Sequence, residues 1–339
     1  MKGKSNKVRY NLHLTRFQHL VTNKKLIKAI KERFGGITPE DIYRGAAEQA
    51  TILQDSLGHR CGAEELYWIH NGKKTIFLTD NLIQMLARAK FTMSDNATIE
   101  PIEGFESFTI AVPKNTFVTD EHGNKIEIRP FLMSCLSVHD SIKKIQGNYK
   151  RVTGCDSVQS VDLKKDVTET VITVTYESNE ISYQTTEKVS NILNVLRNGL
   201  RDNSTLHSYQ LLDDAERLQS QMMIRIATAF LIYTNAKGGD NIQNGYPNDC
   251  FFDIEKGFTR AFWDAAYSDV PARKKRPQNT GDLASSGHKQ SWNVRSAHLK
   301  NLSHERFYQG EHAWRPRGSR WILVDEYEAG EQIDAHHSK

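Results

Sequence analysis

Leu218-Gln219-Ser220-Gln221-Met222-Met223-Ile224-Arg225-Ile226-Ala227-Thr228-Ala229-Phe230-Leu231-Ile232-Tyr233 is the stretch on which the fold turns. Its continuous apolar part, Ile226 to Tyr233, falls well short of the ~20 residues that cross a bilayer. It belongs inside a protein. Taken over residues 209–235, the segment reads as one helix that Gly238-Gly239 stops. Leu211, Ala215, Leu218, Met222, Ile226, Phe230 and Tyr233 form its inward stripe. The Met222-Met223 pair reads as core filling. A helix this apolar needs a broad partner, and the chain upstream offers strands.

Residues 171–176 and 181–184 read as a hairpin turning at Ser178-Asn179. Asn71-Gly72, between Tyr67-Trp68-Ile69 and Thr75-Ile76-Phe77-Leu78, is a second hairpin signal. Residues 105–112 and 126–133 are strand-like, separated by the turn-rich Asp120-Glu121-His122-Gly123-Asn124. Thr79 or Asp80 caps a short helix through about residue 89, and residues 187–197 form another, with Val189, Ile192, Leu193 and Leu196 on one face. Leu14, Phe17, Leu20, Val21, Leu26, Ile27 and Ile30 suit a helix or helix pair over 11–34, stopped by Gly35-Gly36. Thr38-Pro39-Glu40-Asp41 then opens a helix through about Ser56.

The expected class is α+β: a mixed α/β body with antiparallel hairpins and a long buried helix, followed by a small basic carboxy-terminal module. The expected divisions are a helical segment (1–60), a hairpin-bearing body (61–186), a helix pair completing the core (187–237), an irregular stretch and linker (238–290), a basic-aromatic module (291–330) and an acidic tail (331–339).

Composition suits a globular chain: of 339 residues, 38% are hydrophobic and 25% charged. The net charge of +4 is unevenly spread, because residues 271–320 hold eleven Lys/Arg against three Asp/Glu, leaving 34 against 38 elsewhere. A local positive excess on a near-neutral body is the footprint of a polyanion-binding segment. Arg273-Lys274-Lys275-Arg276 by itself also reads as a solvated linker. Cys61, Cys135, Cys155 and Cys250 form no CxxC pair and read as buried free thiols. Met1-Lys2-Gly3-Lys4-Ser5-Asn6-Lys7 is followed by no apolar signal core, so the expected compartment is the cytoplasm and no membrane partner is expected.

The common catalytic signatures are missing. No GxxxxGK[ST], no GxGxxG after a strand, no HExxH and no GxSxG occurs, and no cofactor is expected. His298, His304 and His312 with Cys250 or Asp325 match no common zinc spacing, and no metal is expected. What remains is the run from Arg295 to Trp321, where cations, imidazoles and aromatic rings interleave. Arg and Lys neutralise phosphates, while Tyr, Trp and Arg planes stack on bases. Arg295, His298, Lys300, His304, Arg306, Tyr308, Arg315, Arg317, Arg320 and Trp321 are the candidate nucleic-acid contacts. Trp321, beside Ile322-Leu323-Val324, also reads as a core residue. His298 and His304 are the candidate acid–base pair of an alternative, a metal-independent ribonuclease. In a third reading the α+β body is an adaptor gripping a host or defence polypeptide.

His298-Leu299-Lys300, His304, Phe307-Tyr308-Gln309-Gly310 and Arg320-Trp321 leading into Val324 resemble a carboxy-terminal motif of the large type V-A anti-CRISPR proteins and their uncharacterised phage and plasmid relatives. The specific match covers about 30 residues. It departs at Ser303-His304-Glu305, where the family commonly carries H-W-H, and Glu305 weakens the local positive field. The resemblance implies an accessory or counter-defence protein of phage or plasmid origin, working in a bacterial host on RNA or a ribonucleoprotein.

Overall fold

The computed structural model describes residues 8–13, 24–38, 41, 45, 56–120, 123–154, 169–178, 181–198, 214–248, 250–252, 259–265, 293–295, 297–324 and 327–329. In chain order the elements are β1 (Val8–Asn11), α1 (Lys24–Phe34), α2 (Ser56–His70), β2 (Lys74–Phe77), α3 (Asp80–Arg88), β3 (Lys90–Thr92), β4 (Ser107–Pro113), β5 (Phe117–Thr119), β6 (Lys125–Glu127), β7 (Phe131–Ser137) and α4 (Val138–Thr153). There follow β8 (Thr170–Ser178), β9 (Ile181–Lys188), α5 (Val189–Asn198), α6 (Asp214–Ala236), β10 (Ile242–Asn244), β11 (Cys250–Phe251), β12 (Arg260–Asp264), β13 (Asn293–Arg295), β14 (His298–Asn301), β15 (Trp321–Val324) and β16 (Tyr327–Ala329). The fold is α+β. No helix among the described residues is long and apolar enough to cross a membrane.

A nine-stranded mixed sheet runs β10-β12-β2-β4-β7-β8-β9, with β1 joined to β4 and β11. Neighbours β12, β2 and β4 are parallel, and β4, β7, β8 and β9 are antiparallel. One face is apolar: Ile76, Phe108, Ile110, Phe131, Met133, Ile172 and Val174 pack into one core with α3, α5 and α6. The expected stripe of α6 is buried there at Met222, Ile226, Phe230 and Tyr233, beside Met223; nearer the start of the helix Leu218 is half-buried, Ala215 is exposed, and Leu211 lies outside the described residues. Thr79 caps α3 by accepting the Leu82 N–H at 3.2 Å. Arg225 ties α6 to the end of α3, donating to the Ala87 and Ala89 carbonyls at 2.8 and 2.6 Å.

The opposite face is built of small polar side chains. Thr75 and Thr109 share a hydrogen bond at 2.7 Å, and Ser107, Ser134 and Thr173 are buried beside them. Helices α2 and α4 pack on this side, and α2 is buried through Cys61, Ala63, Glu64, Glu65, Leu66, Trp68 and Ile69. Lys144 of α4 donates to the Glu64 carboxylate, with only 1% and 8% of the two side chains exposed. The same ammonium lies 5.3 Å from the centre of the Tyr67 ring. Cys61 and Cys135 are buried thiols as expected, whereas Cys250, on the short strand β11, is only half-buried.

Two expectations change here. Asn71-Gly72 does not turn a hairpin; residues 67–70 are the last turn of α2. The Asn71 N–H bonds back to Tyr67 O at 3.0 Å, Lys73 N–H to Trp68 O at 3.1 Å, and Gly72 sits at φ +85°. Asn-Gly supports left-handed backbone equally at a hairpin tip and past a helix end. The Trp68 indole then bonds Lys74 O at 2.8 Å and folds β2 back against α2. The other change is the strand expected over 126–133, which divides into β6 and β7 with residues 128–130 between them; α4 is an added element that the apolar pattern does not announce. Ser137 caps it by accepting the Asp140 N–H at 3.0 Å, and Gly154 ends it at φ +73°.

Thr38 and Asp41 form the expected start signal reciprocally, the Thr38 hydroxyl accepting Asp41 N–H at 3.2 Å and the Asp41 carboxylate accepting Thr38 N–H at 2.9 Å. Most of the helix expected through Ser56, the residues Leu14 to Val21, the linker 273–290, Cys155 and the acidic tail lie outside the described residues.

His13, just past β1, is 4% exposed, is hydrogen-bonded to the Pro130 backbone, and keeps Nε2 buried with no partner among the described residues. Burial pulls its pKa from 6.5 down to about 4, against the smaller upward effect of that bond. The unfolded chain therefore takes up a proton at pH values where the folded one does not. Stability from this site is full above about 6.5 and is lost as pH falls towards about 4, by about 3 kcal/mol in all. Urea titrations at several pH values should show that fall in the wild type. In His13→Asn this component should disappear, leaving the background from the carboxylates; an identical pH slope in both proteins would refute it.

Candidate nucleic-acid interface

Strand β14 lies between β15, antiparallel, and β3, parallel. Leu299 and Trp321 are buried, and Phe91 and Leu323 pack against the same core, over α6. Strands β14 and β15, at the basic end of the chain, therefore close the main core. Trp321 is 4% exposed and its indole N–H donates to Thr98 O at 2.9 Å. Its ring is not free to stack on a base, so of its two sequence readings the core one holds.

Between β14 and β15 the chain makes a long loop with two short 3-10 turns, Glu305–Phe307 and Gly310–His312. Its shape is set by internal bonds. The Tyr308 hydroxyl accepts the Gly318 N–H at 2.7 Å and the Arg320 N–H at 3.2 Å. Arg320 donates to Phe307 O, and Arg317 Nε to Ser303 O at 3.0 Å. His304 Nδ1 accepts the Arg306 N–H at 3.2 Å and caps the first turn. Asn301 holds both ends, donating to Gly318 O at 2.7 Å and Arg320 O at 3.1 Å.

The loop stands on residues 94–100. Thr98 N–H bonds Gly318 O at 3.0 Å, and Ser94 Oγ donates to Asn301 Oδ1 at 2.9 Å. Gly318 must be glycine: it sits at φ +95°, and a Cβ there would lie 1.9 Å from Asn96 O. Arg197 of α5 holds the floor through Ser94 O at 2.8 Å and Asp95 at 3.0 Å. Glu100 lies half-buried below, its carboxyl raised by burial and drawn back by the Arg315 guanidinium and a Ser319 hydrogen bond.

These bonds sort the candidates. Tyr308 and Arg320, half-buried, brace the loop from within. Arg306, Arg317 and Lys300 are exposed, and Arg315 and His298 are half-exposed. Arg295 falls on β13, which pairs with β16; its side chain is not among those described. Trp314 is absent from the sequence-derived contacts, yet it is 72% exposed. Arg315 lies 5.1 Å from its ring centre, and Arg306 lies 4.7 Å from that of Phe307. On the turn just before Trp314, His312 and Glu311 stand 3.3 Å apart. No protein-family model matches the chain, and no curated protein matches it.

Proposed function

We propose that the chain binds single-stranded RNA, free or within a ribonucleoprotein, through the β14–β15 loop. The observation that carries this is Trp314, an exposed ring on a loop braced by its own hydrogen bonds, with Arg315 5.1 Å from its centre and with Arg306 and Arg317 exposed on the same loop. A rigid loop presents the ring without an ordering cost on binding, and the guanidinium groups supply phosphate contacts. The resemblance of the carboxy-terminal motif extends the proposal to an accessory or counter-defence protein of phage or plasmid origin.

The test is fluorescence anisotropy with a labelled single-stranded oligonucleotide. Trp314→Ala should weaken binding by ~1–3 kcal/mol. Its melting curve should stay at the wild-type position, because the side chain is mostly in water. Wild-type affinity should fall steeply with salt. Equal affinity in wild type and Trp314→Ala would overturn the assignment. Cleavage of the oligonucleotide in EDTA would favour the ribonuclease built on His298 and His304 instead.

A further inference from the structure

The register of the small sheet brings together residues far apart in sequence. Lys90 pairs with His298 and Thr92 with Lys300, while Val324 and Ile322 lie opposite His298 and Lys300 on the other side. Since Leu299, Phe91, Leu323 and Trp321 turn inward, strand alternation turns Lys90, Thr92, His298, Lys300, Ile322 and Val324 outward. Lys90, Thr92 and Lys300 are exposed, and the other three half-exposed. Neither ammonium has an ion-pair or hydrogen-bond partner among the described residues. Like charges on adjoining strands are unfavourable to the fold itself.

We infer that this outward face is a second contact surface for single-stranded nucleic acid, continuous with the loop, in which Lys90 and Lys300 neutralise backbone phosphates. This rests on the RNA-binding reading above and extends it to β3. The loop begins one residue beyond Asn301, the end of β14, so a strand lying on the sheet leads directly to it. The make-up of the face favours a nucleic acid over a simple polyanion. Cations occupy β3 and β14, while the aliphatic side chains of Ile322 and Val324 give riboses and bases a surface to pack on. A face of short strands suits an open single strand; its bases are accessible, whereas those of a duplex are stacked inside.

The experiment compares wild type, Lys90→Ala, Lys300→Ala, the double variant and Trp314→Ala, binding a labelled twelve-nucleotide oligouridine across a salt series. Each lysine that neutralises a phosphate contributes about 0.7 to the slope of log affinity against log salt on a single strand. Between about 50 and about 200 mM salt, each lysine variant should therefore lose about 2.6-fold less affinity than wild type, and the double variant about 7-fold less. Trp314→Ala should weaken binding with its slope unchanged. All the substituted side chains are exposed, so melting curves should coincide. A wild-type slope in the double variant, with Trp314→Ala still weakened, would remove the sheet face and leave the loop reading intact. A wild type that binds no oligonucleotide removes both. Equal competition by polyglutamate or anionic vesicles would also overturn the inference, by reducing the face to a general polyanion patch.

Discussion

Trp321→Ala is expected to destabilise the protein by about 3–5 kcal/mol, the range for emptying a buried aromatic site. The indole closes the core beneath β14 and β15, and its N–H satisfies the Thr98 carbonyl at 2.9 Å. Alanine leaves both a cavity and a carbonyl without that donor. Trp321→Phe should fall between wild type and Trp321→Ala, since it keeps most of the apolar surface but loses the N–H and part of the ring. Urea unfolding should show the midpoint dropping in that order. A midpoint for Trp321→Ala within error of wild type would mean that the ring does not belong to the core. The contrast with Trp314 is the useful part: one tryptophan should move stability, the other affinity.

The second large effect lies on the far side of the main sheet. Lys144→Met should cost about 3–5 kcal/mol, because it leaves the Glu64 carboxylate buried without its cation. The other carboxylate oxygen, Oε2, already has no hydrogen-bond partner among the described residues. Removing both charges in Glu64→Leu/Lys144→Met should recover most of the loss, since an apolar pair needs no desolvation of charge. Chemical denaturation of the two single variants and the double variant gives the coupling directly. Additive losses in the double variant would show that packing, not charge, holds α2 to α4.

Where an element's signal is local, the sequence reveals it. The threonine cap of α3, the stripe of α6 from Met222 to Tyr233 and the β8–β9 hairpin are periodic or capped features, and each is found where the sequence places it. Where one signal serves two geometries, it does not decide between them. Asn-Gly serves a hairpin tip or a helix end alike; here Gly72 and Lys73 carry the positive φ, and only the burial of Leu66, Trp68 and Ile69 along α2 selects the helix. In the β14–β15 segment, the mixture of cations and rings was legible, but the division of labour within it was not. Tyr308 and Trp321 look as available as Trp314 until Gly318, Arg320 and Thr98 are seen to engage them. Lys90 carries no local mark at all; its place beside His298 exists only through a parallel pairing across the length of the chain.

That pairing also governs the order in which the protein can fold as it is made. The hydrogen bond from Trp321 to Thr98 spans 223 positions, so the ribosome releases α3 and β3 long before the strands that cover them exist. At ~5–20 residues per second the interval is ~10–45 s, far longer than collapse or helix formation takes. Through that time the inner side of Phe91, and later the flank of α6, stay open on the nascent chain as a surface for chaperones. A message cut short between the codons for α6 and β14 would yield the six helices of the described residues without β14 and β15, leaving the flank of α6 that they cover open.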